Sequence, residues 1–176
     1  ELRDKTGVVP QKSVLFKGTL RDNMRWGKQD ASDEEIYRAL DTAQAREFVD
    51  SKGEGLDLYI DQGGHNLSGG QRQRLTIARA LVRRPEILIM DDSASALDFA
   101  TDARLRKAIR ENTGDMTVFI VSQRATTIKS ADTILVLDEG RLAGMGTHKE
   151  LLKDCQVYRE ICLSQLSKEE VERDEQ

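Results

Sequence analysis

The chain has 176 residues, 33% of them charged, and a formal net charge of −4. That length suits one domain with a sizeable core. The acidic balance excludes a protein that holds nucleic acid through a basic surplus, and the short apolar runs, none above four residues among the strand candidates, exclude a membrane span. Cys155 and Cys162 lie seven residues apart in one predicted helical stretch. That is two turns, about 10 Å along the axis and too far for a disulfide, so they read as packing thiols in a reducing compartment. His65 and His148 have no metal-ligand company. No signal peptide precedes Glu1, and with no initiator Met the sequence reads as a piece of something longer.

Thr6-Gly7-Val8-Val9-Pro10-Gln11 reads as a short strand running into a loop. Leu15, Phe16 and Leu20 are core candidates. Ser32 with Glu35 is a capping box, and it starts a helix with Ile36, Leu40 and Ala43 on one face and Phe48 near its end. Gly53, Gly55, Gly63 and Gly64 mark loops around residues 56–60.

The stretch from Leu67 to Asp98 organises the rest. Ser68 with Gln71 is another capping box, so a helix is predicted from Gly69 to about Arg83, stopped by Pro85. Gly69 and Gly70 leave its first N–H groups bare of side chains, and a helix N-terminus of that kind can hold a phosphate. Ile87-Leu88-Ile89-Met90 fits a strand buried on both faces of a parallel sheet. Asp91 and Asp92 end it, where open α/β sheets bind ligands; one could hold Mg²⁺ and the next orient a water. Taken singly, a Ser-Gly-Gly turn is a cap and an acid after a strand caps the next helix; the combination is what points to chemistry.

A helix is expected over about 101–111, ended by Gly114. Thr117–Val121 is a second buried strand and Ile134–Leu137 a third apolar run, with Asp138-Glu139-Gly140-Arg141 as a hairpin turn into Leu142–Thr147. Thr147 with Glu150 caps a last helical region to about Leu166, and 167–176 reads as a charged, frayed tail. The order of elements predicts an α/β fold with a parallel sheet and a helical insertion. The divisions are 12–84, mainly helical, 85–166, sheet core and terminal helices, and 167–176, the tail.

Leu67-Ser68-Gly69-Gly70-Gln71 matches the signature motif of the ATP-binding cassette (ABC) family letter for letter. Ile87–Asp91 resembles its Walker B strand and Ser95–Asp98 its D-loop. Gln11, 56 residues before Leu67, falls on its Q-loop glutamine. The segment Leu15–Met24 resembles the part of exporter-type domains that faces the coupling helices of the transmembrane portion. The resemblance implies the later part of a P-loop NTPase core with a helical subdomain, in an exporter that couples ATP to transport at the cytoplasmic face of the membrane. It implies ATP and Mg²⁺ as cofactors, with Gln11 and Asp91 at the metal. Asp92 takes the catalytic-base position and Gln123 the γ-phosphate sensor. Ser68, Gly69, Gly70, Gln71 and Asp98 join the nucleotide-binding set. The implied partners are the transmembrane domain and a second nucleotide-binding domain, with no nucleic acid.

Three departures matter. The family usually carries Glu where Asp92 stands, His where Gln123 stands, and Gly-Glu where Asp61-Gln62 stand in the X-loop. The first two imply a slowed site beside an intact signature, and so one half of a heterodimeric exporter. No G-x-x-x-x-G-K-[ST] phosphate loop occurs. The family's layout puts that loop before Glu1, with strands whose lack is expected to expose apolar sheet edges. Competing classes are DNA-repair-type ABC ATPases, disfavoured because residues 12–66 hold no heptads, and soluble cassette proteins of translation, disfavoured by the exporter-like segment 16–24. A subunit that holds ATP without turnover is favoured in part by Asp92 and Gln123.

Overall fold

Three parallel strands carry the first of two units, residues 1–121 and 122–176, into which the chain divides. The computed structural model describes residues 2–93 and 96–175. In the first unit a turn of helix, α1 (Leu2–Lys5), leads into β1 (Thr6–Val9). After an irregular stretch come β2 (Gly18–Thr19) and α2 (Leu20–Arg25), then α3 (Asp33–Thr42), α4 (Arg46–Ser51) and β3 (Tyr59–Ile60), which pairs antiparallel with β2. The long helix α5 (Gly69–Leu81) precedes β4 (Ile87–Asp91), and α6 (Phe99–Asn112) precedes β5 (Thr117–Val121).

β4 is the middle strand, with Val8 opposite Ile89 and Ile89 opposite Phe119. Side chains alternate across the sheet. Leu88, Met90 and Val9 point into the core with Leu75, Ile77 and Leu105. The other face is open: Val8 is 56% exposed and Phe119 53%. The continuous apolar run of β4 is therefore buried on one face and half-covered on the other. The expected apolar exposure takes the form of a sheet face more than an edge.

Helix ends follow local chemistry. Ser32 with Glu35 and Ser68 with Gln71 form the predicted capping boxes, and Thr19 with Asp22 forms a further one that the sequence pattern did not single out. The expected single helix through Phe48 is two. Gln44 takes a left-handed φ of 57°, and the Ala45 N–H bonds back to the Leu40 carbonyl at 2.8 Å, which ends α3 in a Schellman-type turn. α6 begins at Phe99, two residues earlier than expected, because Asp98 is its N-cap.

The second unit holds α7 (Ala125–Ile128), the hairpin β6 (Ile134–Asp138) and β7 (Arg141–Gly146), then α8 (His148–Asp154), α9 (Gln156–Gln165) and α10 (Lys168–Glu175). Glu139 and Gly140, with φ of 45° and 75°, form the two-residue turn predicted between the strands. Leu151, Leu152, Tyr158 and Cys162 pack under Ile134 and Val136. The predicted terminal helix breaks at Cys155, whose extended backbone ends α8 and starts α9, so the two free cysteines do not share one helix. Most of the expected frayed tail is α10: Ser167 pairs with Glu170 at its start, and Val171 is buried. Asp174 ties it to the His148 imidazole at 3.4 Å, whose other nitrogen meets the Tyr158 hydroxyl at 2.8 Å.

Candidate active site

The start of α5 is built from backbone. The Gln71 N–H donates to Ser68 Oγ at 3.2 Å, and the Ser68 N–H donates to Gln71 Oε1 at 2.9 Å. Both bonds lie at the rim, so the N–H groups of Gly69 and Gly70, the first of the helix, keep the positive dipole end open to an anion. Ser68 and Gly69 are exposed. A Cβ on Gly69 would meet nothing nearer than Arg72 at 3.9 Å, whereas one on Gly70 would meet the Ala96 carbonyl oxygen at 3.3 Å. Gly69 thus keeps the approach open, and Gly70 lets the segment before α6 pack against the helix.

A second group forms where β1 and β4 end side by side. Gln11 Nε2 donates to Asp92 Oδ2 at 3.2 Å, joining residues 81 apart in sequence. The parallel register, Val9 opposite Met90, brings them there. Asp91 closes β4 with its side chain exposed. Asp92 has a left-handed φ of 42°, and its N–H donates to the Val121 carbonyl at 2.9 Å. A short polar side chain is among the few that tolerate that region. Among the described residues no group of three or more His, Cys, Asp or Glu could hold a metal. Mg²⁺ needs only one or two protein oxygens when phosphates supply the others, and the exposed Asp91 carboxylate at the end of β4 is a donor of that kind.

Asp98 serves as a helix cap, its carboxylate accepting the Thr101 N–H at 2.9 Å. That backbone bond, with the Thr101 hydroxyl, holds its pKa below the ordinary aspartate value. Ser95 lies outside the described residues. Gln123 belongs to the second unit, where its side chain is exposed and its carbonyl accepts from Gln165 Nε2 at 2.7 Å. Asp61 keeps its side chain exposed, and its N–H donates to Asn66 Oδ1 at 3.1 Å.

The polar residues that tie this site to α5 carry no signal in the sequence pattern. The Ser13 hydroxyl donates to Gln73 Oε1, and Arg79 Nη2 donates to the Val14 carbonyl at 2.9 Å. Gln73 is only 1% exposed. Among the described residues, Gln73 Nε2 and Arg79 Nη1 are buried with no hydrogen-bond partner. Burial also lowers the Arg79 pKa. Asn23, equally buried, takes the Phe16 N–H at 2.9 Å and donates to the Phe16 carbonyl at 2.8 Å. It presents Phe16 outward, stacked on the exposed Trp26 with ring centroids 4.8 Å apart. Of the three early core candidates, then, Leu15 and Leu20 are buried and Phe16 is not. No periodicity marks Gln73 or Asn23, since each is polar at a core position.

The sequence model of the family described as "ABC transporter" matches residues 1–95. The chain is 48% identical over 168 residues to an uncharacterized ABC transporter ATP-binding protein of Bacillus subtilis, YfiB, covering 96% of the chain and 29% of the relative. It is 46% identical over 159 residues to a probable multidrug resistance ABC transporter ATP-binding/permease protein of the same organism, YheI, covering 90% of the chain and 27% of the relative. Among solved structures, a bacterial Atm1-family ABC exporter with ATP bound superposes with a TM-score of 0.90 at 38% identity, covering 94% of this chain and 29% of that one. The chain thus spans under a third of the length of these relatives. With the signature at an open helix start and the parallel sheet that carries Asp91 and Asp92, the chain belongs to the ABC transporter family, among its exporter-type nucleotide-binding domains.

Proposed function

We propose that these residues serve an ATPase that powers export across a membrane, working at its cytoplasmic face with a transmembrane domain and a second nucleotide-binding domain. The observation that carries the reading is the open, capped start of α5, whose bare N–H groups suit a phosphate presented by another domain. On this reading Ser68, Gly69 and Gly70 bind the γ-phosphate of a nucleotide held by the partner, with Gln71 closing the cap and Asp98 setting the neighbouring helix start. Asp91 and Gln11 would hold Mg²⁺, and MgATP would supply the phosphoanhydride bond to be cleaved. Asp92 accepts the proton of the attacking water, and Gln123 donates a hydrogen bond to the γ-phosphate. Residues 12–84 are read as a mainly helical subdomain and 85–166 as sheet core and terminal helices. The exposed Phe16–Trp26 pair is the surface for the transmembrane partner.

Asp92 and Gln123 make the chain's own site slow. An Asp carboxylate stops about 1.5 Å short of where a Glu would reach, and about 1 Å of misplacement can cost 10²-fold in rate. Gln cannot carry the charge of an imidazole. The protein is therefore read as one half of a heterodimer whose other subunit carries the Glu and His. ATPase measurements on the assembled transporter test this. Breaking the partner's Glu should abolish turnover, while Asp92→Asn lowers it only mildly. Loss of all activity in Asp92→Asn would refute the asymmetric model.

The 176-residue chain contains no G-x-x-x-x-G-K-[ST] sequence, the loop whose N–H groups and Lys make most phosphate contacts. Titrated with MgATP on its own, it is expected to show no binding tighter than about 1 mM, which corresponds to roughly −4 kcal/mol. Micromolar binding would mean that these residues hold nucleotide in some other way.

A further inference from the structure

We infer that Gln73 and Arg79 of α5 are positioning residues for Gln11, gripping Ser13 and Val14 so that the Gln11 amide stays against Asp92. The inference rests on the ATPase reading of that site.

Residues 10–14 belong to no helix or strand, and Gln11 and Lys12 are exposed. Such a segment wanders unless something holds it. What holds it is α5: Gln73 accepts from the Ser13 hydroxyl and Arg79 donates to the Val14 carbonyl, two consecutive residues. Ser13 is two residues from Gln11, whose side chain reaches Asp92 at 3.2 Å. Beyond Val14 the chain is fixed again, since the Gly63 N–H donates to the Leu15 carbonyl at 3.1 Å.

Both anchors are held in place themselves: Gln73 is buried, and the Arg79 guanidinium also lies over the Phe16 ring, 5.7 Å from its centroid. α5 also carries the signature glycines at its start, with Gln73 about 6 Å beyond Gly69 along the same helix. One rigid element therefore bears both the group offered to the partner's nucleotide and the grip on Gln11.

The test is made in the full-length transporter, with Ser13→Ala, Gln73→Met, the pair together, and Gln11→Ala as reference. Because the partner's site carries most of the turnover, the readout is ion affinity at this chain's own site, with Mn²⁺ standing in for Mg²⁺ and followed by electron paramagnetic resonance in the presence of ATP, with the partner's catalytic Glu broken. Each single change should raise the half-saturating ion concentration by about threefold to tenfold, with ATP affinity changed less than about twofold. The double change should be no worse than the worse single one, because both remove one contact. Ser13→Thr keeps the hydroxyl and should restore the ion affinity, a rescue that mere loss of packing would not give. If Gln11→Ala raises the half-saturating ion concentration while Ser13→Ala and Gln73→Met do not, the positioning inference is wrong. If Gln11→Ala itself changes nothing, the ATPase reading of this site fails first and the inference with it.

Discussion

Ser68→Arg should lower the ATPase rate of the assembled transporter by about two orders of magnitude or more, the scale on which loss of a preorganised anion-binding contact acts. Ser68 is exposed at the first turn of α5, and Gly69 leaves the space beside it empty. An arginine side chain fills the volume that a partner's phosphate would occupy. It also removes the bond from Ser68 Oγ to the Gln71 N–H and places a cation at the positive end of the helix. The lost cap accounts for only about 0.5–2 kcal/mol of stability, so two controls separate the causes. Ser68→Asp caps the helix as well as serine does, yet sets a carboxylate against the incoming phosphate; it should inhibit while leaving the melting temperature unchanged. Ser68→Ala loses the cap and keeps the space, so it should destabilise the fold more than it slows turnover. Nucleotide binding at the subunit's own phosphate loop should survive in all three. Wild-type ATPase and transport in Ser68→Arg would reduce Ser68 to a helix cap.

The second large effect concerns folding. Gly27 follows α2 and lies against the last turn of α5, where an added Cβ would stand 2.1 Å from the Arg79 carbonyl oxygen and 2.9 Å from Val82 Cγ1. The nearer atom is backbone and cannot swing aside. Gly27→Val should therefore part the two helices and cost about 3 kcal/mol, the upper end for overpacking, which lowers the melting temperature by about 6–12 °C in a chain of this size. Gly53 is the contrast: its φ is 79° but nothing lies within 4 Å of its missing Cβ. Gly53→Ala meets only backbone strain, about 1–2 kcal/mol. Thermal unfolding followed by circular dichroism ranks the two. An equal loss in both would mean that the α2–α5 contact gives way easily. Because Arg79 also holds Val14, Gly27→Val should loosen the segment that carries Gln11, visible as faster amide exchange over residues 11–14.

Local chemistry was enough to announce much of this molecule. The boxes at Ser32, Ser68 and Thr147 are short-range hydrogen-bond patterns, legible because both partners lie three residues apart. The apolar run at Ile87–Met90 and the turn at Glu139-Gly140 were legible for the same reason, since hydrophobic period and left-handed turn preference are properties of neighbours. The signature motif and the acids after β4 identified the family, because a phosphate-binding helix start needs those residue types in that order.

What lay beyond the reach of neighbours came only from folding in three dimensions. The contact between Gln11 and Asp92 spans 81 residues and exists because two parallel strands share a register. Asp98 stands in the D-loop pattern, yet its carboxylate is spent on the Thr101 N–H, a competition settled by where α6 begins. Gln44 breaks a helix that its amphipathic pattern would have continued, because the return of the Ala45 N–H to Leu40 packs α4 against the same core. Gln73 and Arg79 read as ordinary polar positions on a helix. Their burial, and the grip on Ser13 and Val14 that goes with it, depends on a segment about sixty residues earlier returning to cover them, and no local propensity encodes that return.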